Sequence, residues 1–186
     1  MAHLTVYDDY NPAQPCLATA DRAVLAGHLA LAGILFEQWS AERPLPEEAG
    51  DEAVLAAYAD AVAALRRDRG FRSVDVVRVP RGIAGAAALR ARFTFEHTHD
   101  EDEARFFVEG SGAFYLHVDR KVFRVVCEAG DLLNVPAGTR HWFDMGPDPA
   151  FTAIRFFTRP DGWVAQATGS PIAGLFPAYG PQPLPA

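Results

Sequence analysis

Apolar positions recur along this chain with two different periods, one before Phe93 and one after it. From about Asp21 to Glu42 the spacing of Leu25, Leu29, Ile34 and Trp39 predicts a helix, with Asp21 placed to cap it and Pro44 and Pro46 to end it. A second helix is predicted from about Asp51 to Asp68, with Val54, Leu55, Tyr58, Val62 and Leu65 as its apolar stripe and Gly70 as its stop. Leu4 to Tyr7 and Ser73 to Val79 alternate as strands do, and Pro80-Arg81-Gly82 breaks the latter. Asn11-Pro12 and Gln14-Pro15 mark a loop, and Ala84 to Arg92 reads as a short third helix.

After Phe93 short β-branched and aromatic runs alternate with turn residues. They are Ala104 to Val108, closed by Gly110-Ser111-Gly112, then Ala113 to Val118, Val122 to Cys127, Leu132 to Val135, His141 to Phe143 and Phe151 to Phe157. Many short strands at this spacing predict an all-β barrel or jelly roll. The expected fold is therefore mainly β (α+β), with the N-terminal helices packed outside the barrel. One domain is expected over 1–186, divided into an N-terminal strand and helix segment (1–92), a barrel core (93–170) and a tail (171–186). The tail holds five prolines and is expected to be extended or frayed.

Composition narrows the function. At 186 residues, 49 % of them hydrophobic, the chain can bury a sizeable core. A formal net charge of −7 excludes a general affinity for nucleic acid or acidic membrane, since both need a basic field. Cys16 and Cys127 form no metal-type or redox-type spacing and read as free thiols in a reducing compartment. The N-terminus carries no basic region followed by an apolar core. The longest apolar run, Leu29 to Phe36, is far too short to span a membrane. A cytoplasmic monomer is expected.

The chemistry concentrates in His97-Thr98-His99-Asp100-Glu101-Asp102-Glu103. Histidines at i and i+2 put both imidazoles on one face of an extended chain, and Glu103 can fold back to the same point. Imidazole plus carboxylate suits a borderline divalent metal. The competing reading is a solvated acidic turn. Glu103 and Arg105 share one face of the following strand, with Ala104, Phe106 and Val108 on the other. In a second segment, Gly130 to His141, Pro136 and Gly138 allow a rigid turn that holds His141 in place. His3, His28 and His117 read as structural.

The first stretch, His97-x-His99-x3-Glu103-x6-Gly110, resembles the first cupin motif, and Gly130-x5-Pro136-x-Gly138-x2-His141 resembles the second. Ala91 and Met145 depart from the usual glycine and asparagine, at positions that bear on turn shape. The runs Glu103 to Gly112, Val135 to Gly146, Phe151 to Phe157 and Gly162 to Ala165 further resemble the acireductone dioxygenase family, densely from about Phe93 to Phe176. The resemblance implies a cupin double-stranded β-helix and one Fe(II) or Ni(II) per chain, bound by His97, His99, Glu103 and His141. It also implies O2 and the acireductone of methionine salvage, 1,2-dihydroxy-3-keto-5-methylthiopentene, as substrates. With iron the implied products are 4-methylthio-2-oxobutanoate and formate; with nickel they are 3-methylthiopropanoate, carbon monoxide and formate. Four protein ligands on an octahedral metal would leave two positions for adjacent oxygens of an enediolate.

Arg105 is the candidate for stabilising the bound anion, against a surface salt bridge with the acidic run. Glu96 is a candidate orienter of His97 or proton acceptor, against an exposed carboxylate. Phe93, Phe143 and Trp163 are candidate substrate-binding walls, against ordinary core aromatics. Another cupin dioxygenase or isomerase, and a non-enzymatic metal-binding cupin, are the alternatives. Oxygen uptake with an acireductone but not with other enediols separates the first, and bound metal without any oxygen uptake supports the second.

Overall fold

The computed structural model describes residues 1–46, 48–160 and 164–180. Along them run β1 (His3–Asp8), β2 (Pro15–Thr19), α1 (Arg22–Leu31), β3 (Leu35–Gln38), α2 (Asp51–Ala57), α3 (Ala59–Arg69), β4 (Ser73–Val79), α4 (Ala86–Ala91), β5 (His97–Thr98), β6 (Glu103–Val118), β7 (Lys121–Glu128), β8 (Asp131–Val135), β9 (Arg140–Asp144), β10 (Phe151–Phe157) and β11 (Gln166–Ala167), with a 3-10 turn at Ile172–Gly174.

Strand β6 is the spine. Its first half pairs with β10 and β8, and its second half with β7 and β9. The first sheet extends to β4 and β3, the second through β7 to β1 and β2 and through β9 to β5 and β11. All these pairings are antiparallel, and the path stays open among the described residues, with β2, β11, β3 and β4 at its ends. The N-terminal segment thus supplies four strands to the sheets as well as helices.

Both faces of β6 are covered. Phe107, Leu133 and Ala153 from one sheet meet Phe114, Leu116, Val125 and Phe143 from the other in one core. The Phe143 and Phe151 rings lie 5.6 Å apart across it. On the outside of the first sheet, Ala104, Phe106, Ile154 and Phe156 are covered by Val54, Tyr58 and Leu65 of the α2–α3 region. On the outside of the second, Tyr7, Ala113, Tyr115 and Trp142 are covered by Ile172 and Phe176. Strands covered on both faces lose the apolar–polar alternation of half-exposed ones.

Five sequence expectations change. The helix expected to run to Glu42 stops at Leu31: Gly33, at φ +75°, turns the chain, and the next residues become β3 against β8. Asp21 does cap this helix, its Oδ1 accepting from the amides of Ala23 and Val24. The helix expected over 51–68 is two, broken at Tyr58, whose ring packs edge-on against Phe106 at 5.6 Å. The Gly110-Ser111-Gly112 break is a bend inside the 16-residue β6 rather than a turn between strands. The tail is not frayed over 171–180: Ile172 and Phe176 are buried, and the Tyr115 hydroxyl donates to the Pro177 carbonyl at 2.7 Å. Residues 181–186 lie outside the described residues. The Gln14-Pro15 loop also begins a strand, β2, laid along β1.

Candidate metal centre

The two histidine segments meet at one end of the space between the sheets. His97 on β5 pairs with His141 on β9, and the Gly138 amide donates to the His99 carbonyl at 2.8 Å, stitching the second segment to the first. The rings of His97 and His141 are 4.4 Å apart, those of His97 and His99 5.1 Å, and those of His99 and His141 5.3 Å. One nitrogen from each lies within 4.8 Å of the others. Glu103, the first residue of β6, places Oε2 3.3 Å from His99 Nε2 and 3.7 Å from His141 Nε2. All four side chains are buried.

Backbone carbonyls settle the imidazole tautomers. His97 Nδ1 meets the Phe95 carbonyl at 2.8 Å, His99 Nδ1 the Val164 carbonyl at 3.0 Å, and His141 Nδ1 the Thr139 carbonyl at 2.8 Å. A carbonyl only accepts, so each Nδ1 carries the proton and each neutral ring keeps its lone pair on Nε2. Among the described residues His141 Nε2 is buried with no hydrogen-bond partner. Such an orphaned atom needs a compensating group, and a divalent cation fits that need and this donor set.

The electrostatics agree. Burial pushes the Glu103 carboxyl up, but Arg105 and the two neighbouring imidazoles outweigh it and hold the group well below the usual carboxylate range. Burial, with the neighbouring charge of His141, lowers His97 to about 4. Burial also pulls His99 down, yet Glu103 beside it raises it overall. Glu103 is thus a carboxylate, and His97 is neutral at physiological pH, as metal binding requires.

These side chains line a cavity of about 360 Å³ with Phe93, Phe114, Phe143, Arg92, Arg105, Arg155 and Ala165. The structure brings Arg105 and Glu103 together: Nη2 donates to Oε1 at 2.6 Å, buried on both sides, so this is no surface salt bridge. Phe93 and Phe143 both reach the cavity, and the Phe143 amide donates to the Phe93 carbonyl at 3.0 Å. Trp163 lies outside the described residues. Glu96 is buried, not exposed, and does not line the cavity: its carboxylate accepts from His117 Nδ1 and from the Thr168 hydroxyl, each at 2.6 Å. His3, His28 and His117 do not line it either. Larger cavities of about 450 and 530 Å³ lie against the C-terminal segment and one of about 480 Å³ against the α2–α3 region, but the metal-type cluster is in none of them.

The rest of the acidic run is spent on tying loops. Asp102 accepts from the Ala137 amide at 2.9 Å, Asp100 accepts from Gln166 at 2.7 Å, and Glu101 pairs with Thr158 and Arg159. Sequence reasoning missed Arg92, Arg155 and Phe114. Arg155 had a signal: it is the one charge in the apolar run Phe151 to Phe157, and it stands directly across from Arg105. Its guanidinium is held by Asp75 through bonds of 2.8 and 2.7 Å. Arg92 and Phe114 had none, since only the fold brings α4 and the second half of β6 to this cavity.

Comparison with known proteins covers nearly the whole chain. The model of the ARD/ARD' family matches residues 3–165. An acireductone dioxygenase of Parvibaculum lavamentivorans is 53 % identical over 98 % of this chain and 100 % of its own length. One from Stenotrophomonas maltophilia is 50 % identical over 97 % of this chain and 98 % of its own. A solved acireductone dioxygenase of Bacillus anthracis, with a cadmium ion in its active centre, superposes with a TM-score of 0.77 at 27 % identity, covering 89 % of this chain and 98 % of that one.

Proposed function

The chain belongs to the ARD/ARD' family, and from that premise we propose that His97, His99, Glu103 and His141 hold one divalent metal ion per chain, iron or nickel, at which an acireductone reacts with O2. The activity itself, metal-dependent acireductone dioxygenation, follows from the relatives matched over almost their full length. The observation that carries the site is the set of imidazoles whose Nδ1 protons are all spent on backbone carbonyls, with His141 Nε2 left unpartnered beside the Glu103 carboxylate. A bound ion supplies Lewis acidity and a template for two adjacent enediolate oxygens.

The chain's own residues do the rest. Glu103 stays ionised because Arg105 donates to its other oxygen. Arg105 also lines the cavity with Nε buried and, among the described residues, unpartnered, which suits it to stabilise an anionic substrate oxygen. Phe93 and Phe143 form an apolar wall for the methylthio tail and limit water. Glu96 acts on the site from behind: its backbone carbonyl accepts from the Thr168 amide at 3.0 Å, and its carboxylate anchors His117. Iron would lead to 4-methylthio-2-oxobutanoate and formate, and nickel to 3-methylthiopropanoate, carbon monoxide and formate. The chain works as a cytoplasmic monomer of one domain.

Substituting His99→Ala tests this. Elemental analysis should show a sharp loss of metal per chain, and oxygen uptake with an acireductone should fall with it. Full metal occupancy in that variant would place the ion elsewhere. Product analysis on wild-type chains reconstituted separately with iron and nickel decides the product sets.

A further inference from the structure

Three arginines line the cavity, and their charges are not equivalent. Arg105 is buried and spends its charge on Glu103 at 2.6 Å. Arg155 is clamped by both oxygens of Asp75. Arg92 differs from both. It caps the C-terminal end of α4, it is exposed, and among the described residues it has no ion-pair or side-chain hydrogen-bond partner. The other α4 arginine, Arg90, is fully engaged with Asp144 through bonds of 2.6 and 2.7 Å. Among the described residues Arg92 is therefore the cavity-lining arginine with no ion-pair partner.

The substrate gives that charge a use. A 1,2-enediol conjugated to a ketone is a vinylogous acid and travels as an anion at neutral pH. This chain carries a formal charge of −7, so its long-range field repels such a molecule. A local, uncompensated cation at the rim reverses the sign of the potential where the substrate must enter, and focuses it into the cavity. The inner guanidiniums are paired with Glu103 and Asp75, and a bound divalent ion would add its charge deeper in the cavity, so Arg92 acts first, at the rim.

We propose that Arg92 is the capture residue for the anionic enediol: it meets the substrate at the rim and sets how efficiently free enzyme and free substrate combine. This rests on the proposed metal site lying in this cavity. The residue acts on binding, so its loss falls on KM and kcat/KM rather than on kcat.

The test uses metal-loaded wild-type chain and the R92Q, R92K and R92E variants, with metal quantified on each sample. Acireductone consumption is followed at low and at high ionic strength. R92Q should lower kcat/KM at low salt by about three- to tenfold and R92E by more, with R92K recovering most of the loss. The wild-type decline of kcat/KM with salt should flatten in R92Q, while kcat and metal content hold. A fully metallated R92Q with wild-type kcat/KM at low salt overturns the role of Arg92 and leaves the metal site standing. So does an R92K as impaired as R92Q, since that makes the requirement geometric rather than electrostatic. Failure of the metal site itself reads out differently, as undiminished metal in His99→Ala.

Discussion

Arg105 lies between two aromatic rings, its guanidinium carbon 4.7 Å from the Phe114 centroid and 4.5 Å from that of Phe143. The rings shield it from water, and Glu103 is its counter-charge. Removing it would leave a buried carboxylate uncompensated in the metal-free chain. Arg105→Ala should cost the metal-free fold about 3–5 kcal/mol, and less once metal is bound and compensates Glu103. Turnover should fall about 10²-fold with metal retained, if it stabilises the substrate anion as an oxyanion donor does. Denaturant melts with and without metal, alongside oxygen uptake, check both. His97 carries a pH prediction. Its folded pKa, about 4, lies below its unfolded value of 6.5. Between those values the unfolded chain binds a proton that the folded one refuses, so this stability is present above pH 6.5 and is lost as pH falls toward about 4. His99 is shifted the other way, so its contribution is fully present below pH 6.5 and is lost as pH rises through its raised value. Metal-free His97→Asn should show a shallower loss of stability than wild type across that window.

At the scale of elements, β6 does what two short strands could not. Its first half presents Glu103 and Arg105 and its second half presents Phe114, so one continuous strand sets the metal side and the aromatic side of the cavity in register. The bend between the halves needs small residues: a Cβ on Gly112 would lie 2.4 Å from the Phe143 ring that walls the cavity. The short helical turn in the tail plays a matching part on the outer face. Phe176 is buried against Trp142 at 6.0 Å and Tyr7 at 5.5 Å, both on strands of the sheet that carries His141. Phe176→Ala should therefore destabilise the chain by about 3 kcal/mol, measured by chemical denaturation. A frayed tail would give no change.

For the whole molecule, the proposed donors come from β5 and the residue that follows it, the start of β6 and β9, and converge only on folding, so an ion held there would be a ligand of the folded state alone. Chelation should then lower Tm. An ion held at a thousandfold excess over its Kd contributes about 4 kcal/mol, which corresponds to about 10 °C for a chain of this size. Thermal melts before and after dialysis against a chelator, with readdition of iron or nickel, measure it. An unchanged Tm would mean that the folded chain does not bind the ion. Sedimentation of the loaded chain at 20.2 kDa checks the monomer.

Local rules singled out the candidate metal residues and most of the β strands, and the family resemblance joined those residues into one proposed ligand set. Histidines at i and i+2, a glutamate at a strand start and a Gly-Pro-Gly-framed histidine are short-range patterns whose geometry follows from the pleat and the turn. Where sequence reading went astray, a partner distant in the chain decided the outcome. Ile34 and Phe36 fit a helical stripe and a strand equally well, and β8 beside them chose the strand. Gly110 and Gly112 resemble turn punctuation until two sheets claim the strands on either side. The tail is proline-rich, yet an outer aromatic face gives it a place to dock. Arg92, Arg155 and Phe114 were out of reach for the same reason: cavity lining is a property of the assembled sheets, and no periodicity in the chain records which side chains the fold will bring opposite one another.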